Sequence, residues 1–173
     1  MTAPALSTIE LFRNDMKFSA AHFTIFSATE RERLHGHNYY VHASVKAEFL
    51  APGITYDYSI TRKAILSLCR QLNEYLLLPQ HSPYLKITEN AENYLVKFDQ
   101  DMMTFLKKDT VILPIANVTS EELARWFVET LTADTKALKE KGIHKFKIKI
   151  STTAGQFASA VWKRKVPGAL ATG

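Results

Sequence analysis

The stretch Leu34-His35-Gly36-His37-Asn38-Tyr39-Tyr40-Val41 constrains the chain most. Its aromatic and β-branched composition is that of a β-strand. In a strand, side chains two apart point to the same face, so His35 and His37 project together. A second strand-like segment, Phe18-Ser19-Ala20-Ala21-His22, ends thirteen residues before His35. A hairpin-like return brings His22 beside the pair. Three neutral imidazoles gathered on one point are the donor set of a catalytic zinc, which keeps its fourth tetrahedral position for substrate or water. An isolated His-x-His is more often a surface pair than a ligand pair, and His22 is what gives the cluster its weight. Gly36 lets a neighbouring segment approach the backbone closely. His42 falls on the opposite face, and His81 and His144, with no ligand-like neighbours, read as loop or strand-entry residues.

The elements follow from periodicity. Residues 9–22 read as a first strand and 38–49 as a second, with a turn at Ala51-Pro52-Gly53. Between the strands, residues 24–33 form a polar loop carrying Glu30, Arg31, Glu32 and Arg33 straight into the histidine pair. Ile60, Ala64, Ile65, Leu68, Leu72 and Tyr75 recur at helical spacing, predicting a helix that Asp57 or Ser59 caps and that ends near Leu78-Pro79. Residues 84–88 and 94–98 predict a β-hairpin, and 110–113 a further strand. Thr119-Ser120-Glu121-Glu122 carries a capping-box pattern and opens a second helix, which Gly142 ends. Residues 146–151 and 157–162 are the last two strands. The expected fold is α+β: an antiparallel sheet with two helices on one face.

With 173 residues the chain is long enough for one domain with a sizeable core. It is expected to span 1–173, with flexible ends at 1–8 and 166–173. A formal charge of +5 gives a mildly anion-attracting surface, but the basic residues are scattered outside Lys163-Arg164-Lys165. A phosphorylated metabolite suits that surface as well as nucleic acid does, and no nucleic-acid partner is expected. No stretch reaches the roughly 18 apolar residues of a membrane span, and the start lacks the pattern of a secretory leader. A cytoplasmic protein with no membrane partner is the expectation. Cys69 is the one cysteine and reads as a buried, inert thiol.

Phe18-Ser19-Ala20-Ala21-His22, Leu34-His35-Gly36-His37-Asn38-Tyr39 and Thr119-Ser120-Glu121-Glu122-Leu123-Ala124 together resemble the 6-pyruvoyl-tetrahydropterin synthase and 6-carboxytetrahydropterin synthase family, over residues 16–161. The resemblance implies the tunnelling fold, in which sheets from several subunits form a barrel with helices outside. It also implies a homo-oligomer, usually a hexamer, with active sites at subunit junctions. His22, His35 and His37 then correspond to ligands of Zn2+. The implied activity is a lyase acting on the side chain of a dihydropterin, either dihydroneopterin or its triphosphate.

The departures bear on the reaction. The family's usual catalytic cysteine before the histidine pair is absent, and Glu32 resembles the glutamate of a subgroup that cleaves the dihydroneopterin side chain to a folate precursor. The family's Asp-His pair is replaced. One register offers Asn73 and Glu74, and another offers Gln80-His81, so Glu74 and His81 are the relay candidates. Thr152 stands where the resemblance places a pterin-binding glutamate. A hydroxyl makes a weaker, single contact, and losing a charge-assisted pair costs roughly 1.5–3 kcal/mol. Glu121 is a possible substitute acceptor, with Thr119 and Ser120 beside it as further substrate contacts. The alternative expectation is a non-catalytic paralogue that binds a pterin or purine-like ligand.

Overall fold

In the computed structural model, which describes residues 4–50 and 53–165, the first strand is two strands. Strands β1 (Leu6–Leu11) and β2 (Lys17–His22) lie along the same edge of the long β3 (His35–Glu48). Leu11 faces Ala43 and Lys17 faces Tyr40, so residues 12–16 stand opposite Val41 and His42 alone. The excess is taken up in a turn in which the Met16 amide donates to the Arg13 carbonyl at 3.0 Å. Asn14 and Asp15 are turn formers, and they interrupt a pattern that otherwise reads as continuous. Residues 6–8, expected to be part of a flexible end, pair with β3 instead. The expected ends 1–3 and 166–173 lie outside the described residues. So do Ala51 and Pro52 of the expected turn, whose flanks Leu50 and Ile54 exchange both backbone hydrogen bonds.

Helix α1 (Tyr58–Leu72) starts where expected, with the Asp57 carboxylate accepting from the Ser59 amide at 2.9 Å. It stops at Leu72, earlier than expected, because Tyr75-Leu76-Leu77-Leu78-Pro79 is a strand, β4 (Tyr75–Pro79). Strand β4 runs parallel to both its neighbours, β2 and β8 (Thr110–Leu113). A strand buried on both faces reads as an unbroken apolar run rather than an alternation, which is why it resembles the tail of a helix. The sheet is therefore mixed, not purely antiparallel.

The hairpin is present as β5 (Leu85–Glu89) and β6 (Asn93–Phe98), and β7 (Asp101–Leu106) extends it into a separate three-stranded sheet. The second helix is also two: α2 (Ser120–Leu131) and the short α3 (Thr135–Glu140), which Asp134 caps. Strands β9 (Ile143–Ser151) and β10 (Ala158–Lys163) complete a main sheet ordered β10-β9-β3-β2-β4-β8, with β1 beside β3. The α+β class holds, with three α-helices rather than two among the described residues.

One face of β2, β3 and β9 presents Phe18, Ala20, Tyr39, Val41, Ala43, Val45, Phe146, Ile148 and Ile150 to the helices, which answer with Ile65, Leu72, Leu123, Phe127 and Leu138. Each large side chain fully buried here contributes on the order of 1.5–3 kcal/mol. Strand β4 divides its residues: Leu77 enters this core, while Leu76 and Leu78 enter a second one with Phe23, Ile25, Val96 and Phe98. The small sheet is thereby fixed against the loop that follows β2. Cys69 is buried in the main core, and burial pushes its thiol up to about 12, as an inert thiol requires. Among the described residues no helix is long and apolar enough to cross a membrane.

Gly142 joins α3 to β9 at φ +66°, and a Cβ there would lie 3.1 Å from the Glu48 Cβ. Left-handed backbone costs an L-residue roughly 1–2 kcal/mol. Gly142→Ala is therefore expected to lower stability by about that amount, read as a lower urea midpoint at unchanged m-value.

Candidate metal centre

Antiparallel pairing of β2 with β3 sets His22 directly opposite His35 and Ala20 opposite His37. The three imidazoles share the helix-side face, with ring centroids 4.6 Å (His22–His35), 5.2 Å (His22–His37) and 4.7 Å (His35–His37) apart. Gly36, on the other face, makes the close approach possible, since a Cβ there would sit 3.3 Å from the Ala20 carbonyl oxygen. His42 does lie on the opposite face, stacked on Phe12 at 3.8 Å.

Backbone carbonyls fix two of the tautomers. His22 Nδ1 lies 2.9 Å from the Val118 carbonyl and His35 Nδ1 lies 2.8 Å from that of Arg33. A carbonyl only accepts, so both Nδ1 atoms carry the proton and both Nε2 atoms present lone pairs. His22 Nε2 is buried with no protein partner. Burial, more than the neighbouring imidazoles, draws His22 below its ordinary value despite the Val118 carbonyl, so the ring is neutral near pH 7. His35 Nε2 and His37 Nε2 are 2.9 Å apart, close enough to share a proton or a cation. One ligand nitrogen from each histidine lies within 4.8 Å of the others. Tetrahedral zinc with bonds near 2.1 Å needs nitrogens about 3.4 Å apart, inside that spread. The donor set therefore fits a metal ion with little movement.

Glu32 stands next to this cluster, with Oε2 4.0 Å from His35 Nε2. The loop is closed on itself by two bonds, from the Glu32 amide to the Thr24 carbonyl at 2.8 Å and from the Thr24 amide to Glu32 Oε2 at 3.0 Å. Burial pulls the Glu32 carboxyl up, but the Thr24 hydrogen bonds and the potential of His35 and His22 outweigh it and hold the group below its usual range. It is a carboxylate at neutral pH, beside the place where an ion would sit.

A sequence profile of 6-pyruvoyl tetrahydropterin synthase matches residues 11–162, which span both strands of the histidine hairpin and the opening of α2. The chain belongs to the 6-pyruvoyl tetrahydropterin synthase family. A Methanocaldococcus jannaschii protein provisionally named 6-carboxy-5,6,7,8-tetrahydropterin synthase is 26% identical over 144 residues, covering 83% of this chain and 88% of the relative. The crystal structure of 6-pyruvoyl tetrahydropterin synthase from Plasmodium vivax matches with a TM-score of 0.87 at 27% identity, over 92% of this chain and 99% of that one. A second P. vivax structure, with a TM-score of 0.87, 26% identity and the same coverage, is described as a catalytic-residue variant with glutamate changed to alanine.

The other candidates of this synthase-family chain occupy different surroundings. Thr119 caps α2, its hydroxyl accepting from the Glu122 amide at 3.3 Å, and Ser120 and Glu121 form the first turn. They follow Val118 directly, so this helix start adjoins His22. Glu122 does not return to the cap. Its Oε2 accepts from the Ala116 amide at 2.9 Å and pairs with Arg125. Thr152 follows Ser151, the partner of Tyr40, so continuing the register puts it near the level of Tyr39, roughly 7 Å along β3 from that of His37. Glu74 is exposed at φ +67° in the turn before β4, its amide donating to the Ser19 carbonyl at 2.7 Å. It lines, with Gly36, His37 and Asp109, a surface cavity of about 510 Å³. His81 is exposed just beyond β4, its amide held by the Ile115 carbonyl at 3.0 Å, and is not part of the histidine cluster.

Three contributors escaped sequence reasoning. Asn117 clasps Ile25, accepting from its amide at 3.1 Å and donating to its carbonyl at 2.7 Å. Val118 supplies only a backbone oxygen, and neither residue has a local signal. Tyr39 was findable, because it falls two residues after His37 on the same face. Its ring centroid lies 5.9 Å from those of His22 and His37, and its buried hydroxyl has no protein partner.

Proposed function

We propose that the chain is a zinc-dependent lyase acting on the side chain of a dihydropterin, dihydroneopterin or its triphosphate, in the cytoplasm. The observation that carries the reading is the His22–His35–His37 cluster, with two Nδ1 atoms held by backbone carbonyls and an ionised Glu32 4.0 Å from it. The P. vivax relative, with its catalytic glutamate, supports the role given to Glu32.

His22, His35 and His37 would hold the zinc, which would supply Lewis acidity that eases removal of a proton from the substrate side chain. Glu32 is the base that accepts such a proton. If it takes a side-chain hydroxyl proton, that oxygen becomes a carbonyl, the adjacent carbon–carbon bond breaks and its electron pair passes into the conjugated pterin ring. If it takes a carbon-bound proton, the pair forms a double bond and triphosphate leaves with the carbon–oxygen pair. Thr24 and His35 orient the carboxylate for either step. Thr119, Ser120 and Glu121 contact the pterin from the α2 start, and Thr152 provides a hydroxyl contact.

Strands β8 and β10 end the main sheet and can pair with further strands, which suits a homo-oligomer, a hexamer by resemblance, built as a barrel. Glu74 and His81, exposed on one subunit, are then relay groups for sites at the junctions. Thr152 in place of a carboxylate favours one second reading, a member that binds a pterin without turning it over. Metal analysis, followed by incubation with each pterin and product identification, tests both. One bound zinc and a side-chain-modified product is the expected result. Saturable pterin binding with no product would give the second reading, and a protein that takes up no metal would end the first.

A further inference from the structure

We propose that Arg31 is a positioning residue for Glu32 and that the small β5–β6–β7 sheet serves as its brace. The inference rests on Glu32 acting as the base. Arg31 adjoins Glu32 in sequence, and its guanidinium is held from four sides. One terminal nitrogen donates to the Glu32 carbonyl at 3.0 Å and the other to Asp101 Oδ2 at 2.9 Å. The group lies over the rings of Phe23 and Phe98, 5.3 and 5.5 Å from their centroids. Its own backbone bridges to Ile25 across the loop.

Phe98 and Asp101 belong to the small sheet and Phe23 to the loop after β2, so Arg31 is the joint between the two. With the Thr24 bonds, it holds the Glu32 backbone at both its amide and its carbonyl. The carboxylate is then left one orientation beside His35. Asp101 is 62% exposed, so the ion pair contributes little to global stability, and stability does not account for so specific a seat. What the seat does is transmit the position of a distant sheet to one carboxylate. A lysine cannot reproduce it, since it lacks the planar fork that reaches a carbonyl and a carboxylate at once.

Amide hydrogen exchange on Arg31→Met, Arg31→Lys and the milder Asp101→Asn, with zinc content and kinetics on the same samples, tests this. Protection at the Thr24 and Glu32 amides is expected to fall about tenfold or more in both Arg31 variants, and less in Asp101→Asn, while β3 stays protected. In parallel, kcat is expected to drop by roughly tenfold in Arg31→Met, with KM and zinc content near normal. Adding Glu32→Gln to Arg31→Met should then cost nothing beyond Glu32→Gln alone, because both act through one group. Unchanged protection at Thr24 and Glu32 in Arg31→Met, or losses that multiply in the double variant, would overturn the proposal. If protection falls while kcat holds, Arg31 braces the loop without positioning the base and the proposal fails, whereas the assignment of Glu32 as base is read separately from Glu32→Gln alone.

Discussion

His22→Ala is expected to abolish stable metal binding and, with it, all turnover. His22 is the most buried of the three donors, at 5% exposure, and its Nε2 has no protein partner to lose. Two half-exposed histidines on one strand remain, and affinity should fall by at least about a hundredfold, more than the loss of an outer partner causes. An ion at a thousand times its Kd stabilises the native state by about 4 kcal/mol. Adding zinc should therefore raise the Tm of the parent protein by several degrees and leave that of the variant almost unmoved. The metal-free variant should also be weaker than the metal-free parent by about 1–3 kcal/mol, because the Val118 carbonyl loses its donor. A variant that still takes up one equivalent of zinc would show that His22 is not a ligand.

Glu32→Gln separates chemistry from binding. The amide occupies the same volume and can still meet the Thr24 amide through its oxygen, so the loop and the zinc content should be retained. It cannot accept a proton. The expected loss in kcat is about 10²–10⁴-fold, the usual worth of a positioned general base, with KM changed little. Because the carboxyl is held below its usual range, the parent carries the base form at neutral pH without needing an alkaline shift. Unchanged turnover in the variant would move proton transfer to another group.

The histidine cluster was legible because it rests on period-2 alternation and one hairpin, both local rules. His35 and His37 needed only their spacing, and His22 needed only a return of the chain. The position of Glu32 beside the cluster was legible because its loop runs straight into His35. The layout of strands was harder to read. The Asn14-Asp15 turn hides inside an apolar pattern, and β4 is buried on both faces, so neither announces itself. Strand β7 is half exposed, with polar and apolar residues that fit a loop as well as a strand. Asn117, Val118 and Arg31 belong to a further class. Their work is done through backbone atoms or through partners 92, 96 and 70 residues away, which no window along the chain contains.

The hydrogen bond between His22 and Val118 also orders events during synthesis. All three imidazoles leave the ribosome early, on one short hairpin. The oxygen that chooses His22's tautomer follows 96 residues later. Until it docks, the His35 tautomer can already be set by the nearby Arg33 carbonyl, while nothing fixes which nitrogen of His22 carries the proton. His22 is thus set to present Nε2 only after the chain has grown as far as Val118 and that segment has folded back onto β2.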